Sequence, residues 1–151
     1  MASYFFDTSA LVKYYHIEVG TPEVLHLLQE PNARHFISRL TVIEAPSAFA
    51  IKVRTGDLAA SNFHRLRQRF LADVAQGQFR DMRLLQRHYR EAGQLITTYF
   101  TRRFRTLDAL QLAMALDLHR RGVIEQFVCA DEPLCTVASE AGLTVLNPTQ
   151  P

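Results

Sequence analysis

Four carboxylates in this 151-residue chain stand where carboxylates are costly to keep. Asp7 follows directly on the apolar run Tyr4-Phe5-Phe6, and Asp131 closes the run Phe127-Val128-Cys129-Ala130. Both runs read as short buried strands, so both aspartates fall where a strand passes into the next helix. Either one alone reads as a helix N-cap, a position that favours Asp. Glu44 lies in Leu40-Thr41-Val42-Ile43-Glu44-Ala45-Pro46-Ser47-Ala48, and Asp108 in the apolar stretch Thr106–Leu116. Taken singly, Glu44 reads as an exposed point on an amphipathic helix, and Asp108 as a first-turn acid favoured by the helix macrodipole. Yet apolar neighbours surround both on several helix faces, and a charge buried there is costly unless it is paired or metal-bound. Gathered in one cleft, the four would repel one another, and their pKa values would rise unless cations were present. Hard oxygen donors of this kind select Mg2+ or Mn2+ over zinc.

Other chemistries lack their residues. The histidines at 16, 26, 35, 64, 88 and 119 show no zinc-ligand spacing and read mostly as surface or rim residues. There is no GxSxG elbow, no P-loop and no GxGxxG fingerprint. Cys129 and Cys135 belong to no paired motif and read as reduced thiols of a cytoplasmic protein.

The elements that must position the acids follow from the hydrophobic pattern. Strands are expected at Ser3–Phe6, His35–Ser38, Glu125–Cys129 and Thr144–Leu146, with a possible short addition at Gln78–Phe79. Helical periods cover Thr8–Tyr15, Thr21–Gln29, Thr41–Val53, Ser61–Val74, Met82–Phe100, Leu107–Leu118 and Pro133–Glu140. Pro46 must kink the third of these or lie in its first turn, and Gly142 reads as a C-terminal cap. Strands alternating with helices imply an α/β domain with a parallel sheet of four or five strands and right-handed crossovers. Ligands of such sheets bind beyond the carboxyl ends of the strands, at a topological switch point. Asp7 and Asp131 occupy two such ends.

Hydrophobic residues make up 48% of the chain and charged residues 21%, the composition of one globular domain spanning residues 1–151. No segment approaches a membrane span, and the N-terminus lacks the basic, apolar pattern of a signal peptide. The net charge of +2 conceals an asymmetry. Residues 61–105 carry +7 and the remainder −5, and 15 of the 17 basic residues are arginines. A basic middle concerns partners, and the guanidinium fork suits phosphate. Solvated helix faces and an arginine-biased genome would produce the same count. Arg102, Arg103 and Arg105, just before the Asp108 helix, are the residues best placed to hold a phosphate backbone. Phe104 between them is the aromatic best placed to stack on a base.

The opening Tyr4-Phe5-Phe6-Asp7-Thr8-Ser9-Ala10-Leu11-Val12-Lys13 resembles the start of a PIN domain. Ser38–Ala48 around Glu44, the helix Leu-Asp-Ala-Leu-Gln-Leu-Ala-Met-Ala-Leu at 107–116, and Phe127–Pro148 match the same family in order. The similarity is nearest to VapC-type toxins of toxin–antitoxin pairs and covers essentially the whole chain. It implies a three-layer α/β/α fold and an Mg2+- or Mn2+-dependent endoribonuclease leaving 5′-phosphate and 3′-hydroxyl ends. It makes Asp7, Glu44, Asp108 and Asp131 the acidic quartet that holds the metal, with Thr8, Ser9 and Thr106 as supporting hydroxyls. It also implies a small antitoxin partner and a homodimer. Two alternatives stand beside the toxin: a housekeeping RNA-processing nuclease, and a non-catalytic binding module on the same fold.

Overall fold

The computed structural model describes residues 2–151. The described residues form five strands and seven helices in the order β1 (Ser3–Phe6), α1 (Thr8–Tyr15), α2 (Thr21–Gln29), β2 (Arg34–Ser38), α3 (Thr41–Arg54), α4 (Ala60–Ala75), β3 (Arg80–Met82), α5 (Gln86–Thr98), α6 (Thr106–Arg120), β4 (Gln126–Val128), α7 (Glu132–Glu140) and β5 (Val145–Leu146). All strands pair in parallel, in the spatial order β3-β2-β1-β4-β5.

The two-residue period of the strands sorts their side chains between two cores. Phe5, Phe36 and Phe127 point to one face, where α5, α6 and α7 cover them. Tyr4, Phe6, Ile37 and Val128 point to the other, beneath α1, α2, α3 and α4. The result is a three-layer α/β/α sandwich whose central strands are buried on both faces. Helix α6 is buried from Ala109 through Leu116, which explains why its sequence is apolar almost all round.

Chain order also fixes where a site can form. From β1 the chain builds outward through β2 to β3, then returns to lay β4 on the opposite side of β1. The switch point therefore lies between β1 and β4, whose paired ends Phe6 and Val128 lead to Asp7 and Asp131.

Several expected boundaries shift. The third strand is Arg80–Met82, not Gln78–Phe79, because the extended segment pairs with β2 only from Arg80 onward. Phe79 is buried just before it. Helix α5 starts at Gln86 and not at Met82, since Leu85 is extended at its N-cap. Pro46 lies inside α3, past its first turn. Gly142, with φ of 106°, ends α7 as expected: its N–H bonds to the Ser139 carbonyl, and the Leu143 N–H to that of Ala138.

Four of the six histidines lie at the surface or are partly exposed, as expected of most of them, and two are buried. His35 is buried, with Nε2 2.9 Å from the Leu27 carbonyl oxygen. His88 is buried beneath α6: its Nδ1 accepts the Leu85 N–H, so Nε2 carries the proton and donates to Asp117 at 2.7 Å. Cys129 is buried, Cys135 is half-buried, and both are free thiols. Among the described residues no helix is long and apolar enough to cross a membrane.

Candidate active site

A cleft of about 480 Å3 opens at the switch point, and Asp7, Glu44, Asp108 and Asp131 all line it. Each comes from a different element. Asp7 is the N-cap of α1, Glu44 is in the first turn of α3, Asp108 is in the first turn of α6, and Asp131 is the N-cap of α7. For the two aspartates at strand ends, capping and lining the cleft are compatible because a carboxylate has two oxygens.

That division of labour holds for all four acids. Asp7 Oδ2 accepts the Ser9 N–H at 3.1 Å and the Ser9 hydroxyl at 2.6 Å. Glu44 Oε1 accepts from the Thr8 hydroxyl at 3.1 Å and from Gln111 Nε2 at 2.6 Å. Asp108 Oδ2 accepts the Arg105 N–H at 3.3 Å, and Asp131 Oδ1 accepts the Leu134 N–H at 3.3 Å. Among the described residues, the second oxygen of each of these carboxylates has no protein partner. One oxygen of each acid is tethered and the other is free.

The cleft disfavours the charged form of its acids. Burial pushes the Asp7 carboxyl up to about 7, opposed by the Ser9 hydroxyl and reinforced by the charges of Glu44 and Asp108. Burial raises Glu44 as well, against its bonds from Gln111 and Thr8, and the Asp108 charge adds to the rise. Asp108 is raised by burial and by the charge of Asp131, against the Arg105 N–H. Mutual repulsion at a partly dry site is the state that a divalent cation relieves.

The donor set fits Mg2+ or Mn2+. The four free carboxylate oxygens are hard donors, and hard cations take such ligands. Among the described residues no three His, Cys, Asp or Glu side chains form a ready-made cage for an ion.

The supporting hydroxyls separate. Ser9 joins the two strand ends: its hydroxyl donates to Asp7 and accepts the Ala130 N–H at 3.0 Å. Thr8 bonds Glu44. Thr106 is exposed at the start of α6, is absent from the cleft lining, and makes no side-chain hydrogen bond among the described residues, its capping role being filled by Asp108 reaching back to Arg105. The arginines separate too. Arg105 lines the cleft, with Nε 3.9 Å from Asp108. Arg103 joins Arg105, Asp131 and Pro133 around an adjoining cleft of about 310 Å3. Arg102 turns to α7 and pairs with Glu140 at 2.5 Å. Phe104 is partly buried against the core, with its ring 6.4 Å from that of Tyr99; the freely exposed aromatic nearby is Phe100.

Two site residues went unremarked in the sequence, Thr41 and Gln111. Gln111 is buried, and its Nε2 lies 2.6 Å from Glu44, 3.1 Å from the Thr41 hydroxyl and 3.3 Å from that of Thr8. A signal existed: it is the lone polar residue between Asp108 and Asp117 in an otherwise apolar helix.

A parallel sheet in this strand order, with acids at the switch point, defines a PIN-type α/β/α domain, the fold of the VapC toxins. Solved structures carry that likeness. VapC20 of Mycobacterium tuberculosis, described as a sarcin–ricin-loop-cleaving toxin, superposes with a TM-score of 0.68 at 15% identity over 93% of this chain and 96% of its own. VapBC2 of Rickettsia felis, bound to a promoter DNA fragment, gives 0.66 at 13% identity over 96% and 98%. A toxin–antitoxin complex from Klebsiella pneumoniae gives 0.58 at 20% identity over 98% of both chains. No protein-family profile matches the sequence, and no curated protein matches it.

Proposed function

We propose that the protein is a divalent-metal-dependent endoribonuclease and the toxin of a toxin–antitoxin pair. The observation that carries the reading is the set of four carboxylates lining one cleft, each with one oxygen tethered and one free. The likeness to a toxin described as cleaving the sarcin–ricin loop supports RNA as the substrate class.

Bound Mg2+ or Mn2+ would supply a Lewis acid for a phosphate oxygen and lower the pKa of a coordinated water. The chain's own residues set up that chemistry. Asp7, Asp108 and Asp131 offer their free oxygens as ligands, directly or through water. Glu44, held through Oε1, would offer Oε2 as a further ligand or to orient the attacking water. Ser9 locks the β1 and β4 ends at a fixed spacing. Arg105 and Arg103 hold the phosphate backbone beside the acids. Exposed Ile43, Ile51 and Leu107 on the cleft wall give an apolar footing next to the acids, suited to an antitoxin segment that combines apolar and basic side chains.

The test compares RNA cleavage with Mg2+ for the parent, Asp7→Asn and Asp108→Asn. Both variants keep the parent's circular dichroism and lose cleavage. Full activity in both overturns the mechanism. Growth arrest on induced expression, relieved by either substitution, identifies the toxin; unimpaired growth removes that part of the reading.

A further inference from the structure

Gln111 sits in the middle of α6 with its side chain in the core, and its Oε1 is buried without a partner among the described residues. An orphaned polar atom in a close-packed interior is a standing cost, and the few that occur call for a reason. Leu or Met would fill the same space without it. The reason lies in the other half of the amide.

Gln111 Nε2 has two protons. One goes to Glu44 Oε1 at 2.6 Å, and the other lies between the hydroxyl oxygens of Thr41 at 3.1 Å and Thr8 at 3.3 Å. Thr8 gives its only hydroxyl proton to Glu44 Oε1 at 3.1 Å, so it must accept in its 3.0 Å bond with Thr41. Thr41 therefore donates to Thr8. The ring runs in one sense toward the acid: Gln111 to Thr41 and Thr8, Thr41 to Thr8, Thr8 to Glu44, and Gln111 to Glu44 directly. Turning the amide over would set its carbonyl oxygen against a carboxylate oxygen. The ring ties α1, α3 and α6 together at a single atom, Glu44 Oε1.

We infer that Gln111 is a positioning residue of this site, which through the Thr41–Thr8 ring holds Glu44 by Oε1 and presents Oε2 to the cleft. Its consequence for catalysis rests on the nuclease reading; its consequence for the Glu44 carboxylate does not. A neutral amide suits the task. It donates to the ionised acid without adding a cation that would compete with a metal ion for it.

Gln111→Met keeps length and volume and removes both protons. Thr41→Val keeps shape and removes the hydroxyl, and Thr41→Ser restores it. In Gln111→Met, Mn2+ affinity by calorimetry and kcat on RNA fall by roughly 10- to 100-fold, as for the loss of other groups that orient ligands, while KM for RNA stays within about twofold. Thr41→Val moves both readouts the same way and Thr41→Ser rescues them. The double variant Gln111→Met/Thr41→Val loses little more than Gln111→Met alone, because both cut the same ring. In the metal-free protein, the Glu44 carboxyl carbon resonance moves in Gln111→Met and Thr41→Val. Parent-like Mn2+ affinity, kcat and Glu44 resonance in a folded Gln111→Met overturn the inference. If Gln111→Met does not fold, the Thr41 pair decides, and equal losses in Val and Ser overturn the ring. If the parent neither binds Mn2+ nor cleaves RNA, the nuclease reading fails, and the Glu44 resonance alone upholds or overturns the positioning role.

Discussion

The Ser9 hydroxyl donates to Asp7 Oδ2 at 2.6 Å and accepts the N–H of Ala130 at 3.0 Å, so one small side chain spans the ends of β1 and β4. It spans the switch point itself, where the acids from the two strand ends must be held together. Ser9→Ala leaves the Ala130 N–H without that partner and Asp7 with its backbone cap and the 3.8 Å contact from Cys129 Sγ. Urea unfolding should show a loss of about 1–3 kcal/mol. Cleavage should fall with it at saturating Mg2+, because the spacing of Asp7 and Asp131 is no longer fixed. Parent-like stability and rate in Ser9→Ala would remove the bridge from the account.

The Asp7 carboxyl gives the metal-free protein an inverted dependence of stability on pH. Burial and the neighbouring acids raise its folded pKa from 3.8 to about 7. Between those values the folded state binds more protons than the unfolded one, so stability falls as pH rises. The loss begins above about pH 4 and is complete just above pH 7, with a ceiling of ~4 kcal/mol. Thermal unfolding without metal should therefore give a higher Tm at pH 5 than at pH 7.5. Asp7→Asn, which cannot ionise, should flatten that profile, and Mg2+ should restore the parent's Tm at pH 7.5. A parent profile that rises from pH 5 to 7.5 without metal would contradict the repulsion described at the cleft.

Legibility in the sequence followed residue density. β1 announced itself because three aromatics precede Asp7, and α6 because almost every residue from Ala109 to Leu116 is buried. Asp7 and Asp131 could be found because strand ends in a parallel sheet are where ligands gather. β3 was misplaced because it is a three-residue edge strand, Arg-Asp-Met, with charges where an edge tolerates them. The orientation of the arginine run was hidden for a different reason. Arg102, Arg103 and Arg105 are neighbours in sequence, but the turn before α6 sends Arg102 to Glu140 and Arg105 to the cleft. Gln111 was invisible as a site residue because its partners come from α1 and α3, 70 or more positions away for Thr41 and Thr8.

Asp117 provides a control that separates fold from site. It receives buried His88 at 2.7 Å, Arg87 at 3.0 Å and Arg121 at 3.6 Å, and so pins α5 to α6 well away from the cleft. Those partners hold its carboxyl below the ordinary range despite its partial burial. Asp117→Ala strands the His88 Nε2 proton, which costs about 1–3 kcal/mol. The Tm should fall while kcat per folded molecule is unchanged. A matching loss of kcat at a temperature where the variant is fully folded would show that the α5–α6 contact reaches the site.

The three arginines before α6 should differ in what they contribute to RNA binding. Asp7→Asn protein, which the mechanism leaves unable to cleave, allows affinity to be measured without turnover. In that background Arg105→Ala and Arg103→Ala each remove a guanidinium from the walls of the two adjoining clefts. Affinity should drop in both, and the slope of log K against log salt should shrink by about one per lost phosphate contact. Arg102→Ala should leave affinity and slope unchanged, since Arg102 is already engaged by Glu140 on α7. Equal losses for all three would mean that the run acts as a diffuse basic patch, and that its pairing in the folded chain does not govern RNA contact.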